Sequence, residues 1–178
     1  MPDKGGGGGA GGSFGRGGNA GWKPHMTPAE ADAWAKDSAI PGRLEHYTSA
    51  AAAKAIYDGG FDTDRSQTNQ YFGRGIYLAQ PGSGSTFYGD TVLDIRVKVK
   101  KPYTYLSDDP PLTSSKGPLG KDIAAELAAN PGMARKDALT RVLKRKGYDA
   151  VIGREDNDDI VVVFDREHVT VVGPPRPA

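Results

Sequence analysis

The chain contains no cysteine. That excludes a disulfide framework and any thiolate metal site, and leaves the compartment open. It also lacks an apolar run approaching the roughly 20 residues of a membrane-spanning helix. The charged-then-apolar pattern of a secretory signal is missing as well. A soluble protein, with no membrane partner and no classical cleaved signal, is the expectation. Formal net charge is +1, too little for a duplex-binding basic face. Arg141, Lys144, Arg145 and Lys146 form a local cluster, but on a predicted helix it reads as a solvated face. No internal repeat is present.

Glycine is what the chain has in excess, 25 in 178 residues, and residues 1–21 hold a large share of it. Such a stretch cannot bury enough surface to offset the entropy of ordering it. The expected organisation is a disordered Gly-rich tail over 1–22, one folded domain over 23–173 and a Pro-rich C-terminal tail over 174–178. The length suffices for a single hydrophobic core.

Local signals place the elements. Thr27-Pro28-Ala29-Glu30 is a capping box with proline at the first helical position, so a helix is predicted from Pro28 to Asp37. Leu44 to Thr48 reads as a short strand. Ser49 caps a second helix, Ala50 to Asp58, stopped by Gly59-Gly60. Phe61 follows as a core anchor, and 62–72 is a polar loop of a length often used for function. Ile76 to Ala79 is a strand, and Ser83 to Tyr88 one helical turn. Thr91 to Val99 alternates Leu93, Ile95, Val97 and Val99 with Asp94, Arg96 and Lys98, giving one buried and one wet face. A second loop spans 107–118. Helices are predicted over 119–129 and 134–146. Strands follow at 149–152, 160–165 and 169–172, the first two joined by a polar turn over 153–159. Short strands with helices at the edges predict an α+β domain with a split or sandwiched antiparallel sheet.

Three pieces carry the chemistry. His46-Tyr47-Thr48 ends one strand, Gly73-Arg74-Gly75-Ile76-Tyr77-Leu78-Ala79 runs from a glycine loop into another, and Ile160-Val161-Val162-Val163-Phe164-Asp165 forms a late one. Singly each is weak: His46 reads as a hydrogen-bonded structural residue, the glycine pair as an ordinary hairpin feature. In this order and spacing the chain resembles the ADP-ribosyltransferases of the diphtheria-toxin-like and poly(ADP-ribose)-polymerase-like branch. Their pattern is a histidine ahead of Ser or Thr, a Gly-x-Gly-Ile-Tyr strand, and a strand of the form Glu-Tyr-Ile-Val-Tyr-Asp. The resemblance covers residues 40–172 and implies the family's split antiparallel core with flanking helices.

It also implies an NAD substrate. Cleavage of the nicotinamide–ribose bond leaves an oxocarbenium-like ribose that a nucleophile captures. By resemblance, His46 bonds a hydroxyl of the adenine-side ribose with Thr48 nearby. The Tyr47 backbone takes the nicotinamide carboxamide. Gly75 lets the backbone come close, Tyr77 stacks on the nicotinamide ring, and Tyr88 is a second wall. Orientation and electrostatics then supply most of the rate.

The departure is at Ile160, where the family carries glutamate. Isoleucine neither stabilises a cationic ribose nor activates an acceptor, which argues against chain-building activity. Asp158 or Asp159, just before it, is the candidate acid, brought to the site by a register shift or a bulge. As a plain solvated turn the same residues would do nothing. The expected activity is mono-ADP-ribosylation of a macromolecule, protein rather than nucleic acid, by a monomeric toxin or effector domain that is exported or phage-delivered and acts in a cytoplasm. Rival readings are an NAD glycohydrolase and a catalytically degenerate NAD- or ADP-ribose-binding domain. No metal site is expected. An RNA 2′-phosphotransferase is disfavoured because no basic constellation faces the His46 strand.

Overall fold

The alternating run at Leu93, Ile95 and Val97 forms the strand around which the sheet is built. In the computed structural model, which describes residues 20–65, 70–83, 88–107 and 109–178, this is β4 (Thr91–Val97). Before it come β1 (His25–Met26), α1 (Pro28–Trp34), β2 (Leu44–Thr48), α2 (Ala50–Gly59) and β3 (Ile76–Ala79). After it come β5 (Pro102–Tyr105), α3 (Gly120–Ala129), α4 (Arg135–Arg145), β6 (Ala150–Glu155), β7 (Asp158–Val163), β8 (Val169–Val172) and β9 (Arg176–Pro177). The strands make one sheet in the order β1-β8-β4-β2-β3-β7-β6-β5, with β9 added against β4.

The protein is therefore α+β, as predicted, but the sheet is mixed. β1 runs parallel to β8 and β5 parallel to β6, while the pairs between are antiparallel. Cross-strand partners share a face, so the alternation sorts the side chains into two cores. Leu44, Leu78, Leu93, Ile95, Val161 and Val163 pack on one face with Ala53 and Phe61. Val151, Val162 and Phe164 pack on the other with Ile123, Leu139 and Leu143 of α3 and α4.

The capping signals act as their chemistry requires. Thr27 Oγ1 accepts from the Glu30 amide while Glu30 reaches back to the Thr27 amide, at 3.3 and 3.0 Å. Ser49 Oγ accepts from the Ala52 amide, and Gly60 ends α2 at a φ of +84°.

Several expectations are corrected. α1 stops at Trp34 instead of Asp37. The folded region begins before residue 23: Trp22 Nε1 donates to the Val169 carbonyl at 2.9 Å, and the Arg166 guanidinium lies over its ring. The C-terminal tail is not free of the domain, because Arg176 and Pro177 pair with Val92 and Thr91. An ionic contact holds them, Arg176 donating to Glu45 and Asp94 at 2.9 Å each. The polar turn over 153–159 is mostly strand. β6 and β7 meet through Asp156 and Asn157 alone, at φ of +48° and +71°. A two-residue hairpin of this kind needs positive φ at both positions, which Asp and Asn tolerate. Residues 1–19 of the predicted tail and residues 84–87 of the turn at Ser83 to Tyr88 lie outside the described residues.

The glycine loop meets β3 under tight steric limits. A Cβ on Gly75 would lie 2.7 Å from the Val163 carbonyl oxygen and 2.8 Å from Val162 Cγ1. Gly75→Ala should destabilise the fold by about 1–3 kcal/mol through overpacking against β7, read as a lower denaturation midpoint with an unchanged denaturant slope.

Candidate functional site

Where β2 and β3 run side by side, only Glu45 and Ala79 are ladder partners. β2 is paired along its length with β4, from Leu44 opposite Ile95 to Thr48 opposite Thr91. β3 is paired along its length with β7, from Ile76 opposite Val163 to Ala79 opposite Ile160. The stretch from His46 to Thr48 thus faces the stretch from Ile76 to Leu78 without a ladder between them. A side chain takes the place of that ladder. His46 Nδ1 lies 3.0 Å from the Tyr77 carbonyl oxygen.

That contact defines the imidazole. A carbonyl only accepts, so Nδ1 carries the proton, and in the neutral ring Nε2 is left as an acceptor. Burial lowers the His46 pKa, and the bond to the Tyr77 carbonyl, which works the other way, does not offset it. The neutral form is therefore the resting form at neutral pH. The ring stands edge-on to Phe61 at a centroid distance of 4.9 Å. Nε2 has no hydrogen-bond partner among the described residues.

Beside His46 lies a cavity of about 160 Å³, lined by Thr48, Gly75, Ile76 and Tyr77 from the open strand pair and by Phe61, Asp62, Arg65 and Gln70 from the loop after α2. Arg74 holds this loop. Its guanidinium pairs with the Asp137 carboxylate of α4 and donates to the carbonyls of Thr63 and Asp64 at 3.5 and 3.4 Å. The residue between the two glycines thus fixes one wall of the cavity.

Tyr77 has its hydroxyl fully engaged. The oxygen donates to the Gly73 carbonyl at 2.7 Å and accepts from the Phe72 amide at 3.2 Å. Burial pushes its pKa well above the phenol range, with Glu155 and Tyr88 adding to the effect, so it stays protonated. The hydroxyl closes the glycine loop, and the ring packs against the core on the α3/α4 face. Both glycines serve close approach within the protein: Gly73, at a φ of +97°, would place a Cβ 2.6 Å from Thr140 Oγ1. Tyr88 is 69% exposed. Gly89 after it has room for no Cβ, which would fall 2.1 Å from the Thr48 carbonyl oxygen. The Tyr88–Gly89 segment is thereby pressed against the end of β2. Tyr47 points to the face opposite His46 and donates from its hydroxyl to Glu45 Oε2 at 2.6 Å.

Strand register separates the two candidate acids. β6 and β7 pair without interruption from Ala150 opposite Val163 to Glu155 opposite Asp158, so neither a bulge nor a slip occurs. Ile160 and Val162 pack with Tyr77 on the α3/α4 face, and alternation puts Asp158 on that same face. Asp159 is on the other face and is bound by Arg154 at 2.9 Å. The expectation of a register change is thus overturned, and Asp159 stays on the face opposite Tyr77. Sequence reasoning missed Glu155, opposite Asp158 and close enough to act on the Tyr77 phenol. It also missed Gln70 and Glu45. Glu45 is 3% exposed and accepts from Tyr47, Gly82, Arg43 and Arg176. Burial disfavours its charge, but those partners outweigh it and hold the carboxyl below its usual range. The strand parity of Glu155 was readable from the alternation. Nothing local marks Gln70. Among the described residues, no group of three or more His, Asp or Glu side chains could hold a metal ion, and no helix is long and apolar enough to cross a membrane.

No family model matches the chain, and no curated protein matches it. A solved structure of an anti-CRISPR protein is similar over 76% of this chain and 98% of its own, at 14% identity and a TM-score of 0.41. A likeness of that size bears on neither mechanism nor partner.

Tyr77→Phe keeps the ring and removes the hydroxyl, leaving the Phe72 amide and the Gly73 carbonyl unpaired. It should cost about 1–3 kcal/mol of stability, while Tyr77→Ala, which removes the ring as well, should abolish ligand binding. Calorimetric melting and ligand titration of both variants separate the two roles. The His46 assignment has its own signature. Binding that needs Nε2 as an acceptor should stay flat across neutral pH and weaken only as the solution becomes acid enough to protonate a ring whose pKa burial has lowered. A binding constant measured from pH 8 to pH 5 should show that profile, with no inflection on the alkaline side of neutrality.

Proposed function

We propose that the chain binds NAD in the open strand pair and acts as a mono-ADP-ribosyltransferase. The observation that carries this reading is the His46 bridge to the Tyr77 carbonyl. It holds two strands apart from Glu45 onward and orients a neutral imidazole acceptor beside a cavity. A ribose hydroxyl is a donor that fits such an acceptor, and the Tyr77 and Tyr88 rings suit a flat heteroaromatic leaving group. NAD carries both.

The chemistry would run by heterolysis. The bond between the ribose C1′ and the nicotinamide nitrogen breaks, and its electron pair leaves with neutral nicotinamide. The cationic C1′ is captured by a nucleophile of the acceptor, whose proton passes to a carboxylate. Asp158 is the residue we assign to that base, since it shares the face of Tyr77 while Asp159 is tied to Arg154 on the other. Positioning and fixed dipoles supply most of the rate, because no protein nucleophile is needed. The acceptor is proposed to be a protein, and the chain a monomeric toxin or effector domain that is exported or phage-delivered. A second reading, an NAD-binding domain without chemistry, is favoured by Ile160, which packs half-buried with Tyr77 where a carboxylate would act.

NAD labelled in its adenosine half, incubated with the protein and a cell lysate, tests these readings. Transferase activity releases nicotinamide and labels macromolecules. Release without labelling means hydrolysis, and binding without release means the inert domain. Asp158→Asn should lower the labelling of macromolecules by a hundredfold or more, within the range of lost general-base catalysis. Asp159→Asn should leave it within about twofold, since that residue serves only a partly exposed ion pair.

A further inference from the structure

The loop after α2 ends in a buried residue whose side-chain oxygen the protein does not use. Gln70 is 7% exposed, and its Oε1 is buried with no hydrogen-bond partner among the described residues. Its Nε2 has no partner among the described residues either. A buried carboxamide oxygen without a partner is costly, and one retained at a cavity wall points to a ligand that pairs with it. Gln70 lines the same cavity as His46 and Thr48.

The inventory of that wall limits the ligand. His46 Nε2 accepts. A carboxamide both accepts and donates, through two groups held side by side. A vicinal diol has the matching form, since each hydroxyl donates one bond and accepts others. One hydroxyl donates to the carboxamide oxygen while the next accepts from its nitrogen, which leaves a hydroxyl proton for His46. A phosphate monoester on that diol breaks the pattern. It is an acceptor only, so one hydroxyl donor is left for two acceptors, and either the carboxamide oxygen or His46 Nε2 goes unpaired while the phosphate charge stands near the lone pair of a neutral imidazole. The cation at this cavity, Arg65, is at its rim, 74% exposed and 3.7 Å from Asp62.

We infer that Gln70 is a specificity-determining residue that selects a ribose with both hydroxyls free, and so favours NAD over the same dinucleotide phosphorylated on its adenine-side ribose. This rests on the NAD reading above and adds to it which form of the dinucleotide is taken and which residue decides.

Gln70→Leu removes both polar groups at nearly constant volume and satisfies the apolar wall, so the fold should survive, which a melting curve checks. Dissociation constants for NAD and NADP are measured in the cold by calorimetric titration on wild type and variant. Wild type should bind NAD about tenfold or more tightly over NADP, the loss expected when one buried polar group goes unpaired. Gln70→Leu should weaken NAD by about tenfold and bring the two ligands within about threefold of each other. Equal binding of NAD and NADP by wild type, or an unchanged preference in a folded Gln70→Leu, overturns the role of Gln70 while NAD binding stands. Failure of wild type to bind either dinucleotide overturns both readings together.

Discussion

One hydrogen bond organises the centre of this protein: the Nδ1 proton of His46 on the carbonyl of Tyr77. Two strands that lie side by side would normally complete a ladder. Here they pair at Glu45 and Ala79 and then part. An unpaired carbonyl inside a sheet is unfavourable, and the imidazole satisfies this one from the neighbouring strand. The opening therefore costs little, and the same bond fixes which ring nitrogen is left to accept. Glu45 secures the closed end of the gap through Tyr47, Gly82 and two arginines, one of them from the last strand of the chain.

The glycine loop completes the arrangement from the other side. Gly75 lets β3 approach β7, Gly73 takes a conformation open to few other residues, and the Tyr77 hydroxyl ties the loop closed. Arg74 carries the fit outward to α4 and to the loop after α2. Strand, loop and cavity wall are one unit. A change at any of these positions acts on the stability of that unit.

Much of this was legible in the chain. Period-two alternation marked β4, a continuous apolar run marked β7, and cap chemistry marked the starts of α1 and α2. The segment from His46 to Thr48 and the segment from Gly73 to Ala79 read as neighbours from the sequence, and the structure joins them through His46 and the Tyr77 carbonyl. What stayed hidden depends on partners far along the chain. β1, β5 and β9 are short edge strands, and Arg176 of β9 is anchored by Glu45 and Asp94. The two aspartates before Ile160 look interchangeable in one dimension. Their difference is strand parity, which becomes definite only when the Asp156–Asn157 turn fixes the hairpin register.

The sequence by itself determined that this is an α+β chain without thiol chemistry, and it located the histidine whose ring meets the Tyr77 carbonyl, because capping, alternation and glycine spacing are local properties. The tertiary structure alone decided that the sheet is mixed, that Asp158 and not Asp159 shares a face with Tyr77, and that a buried Gln70 lines the cavity. Those facts arise from strand order, register and burial. Each is set by contacts between residues that the chain keeps apart, and no local preference encodes them.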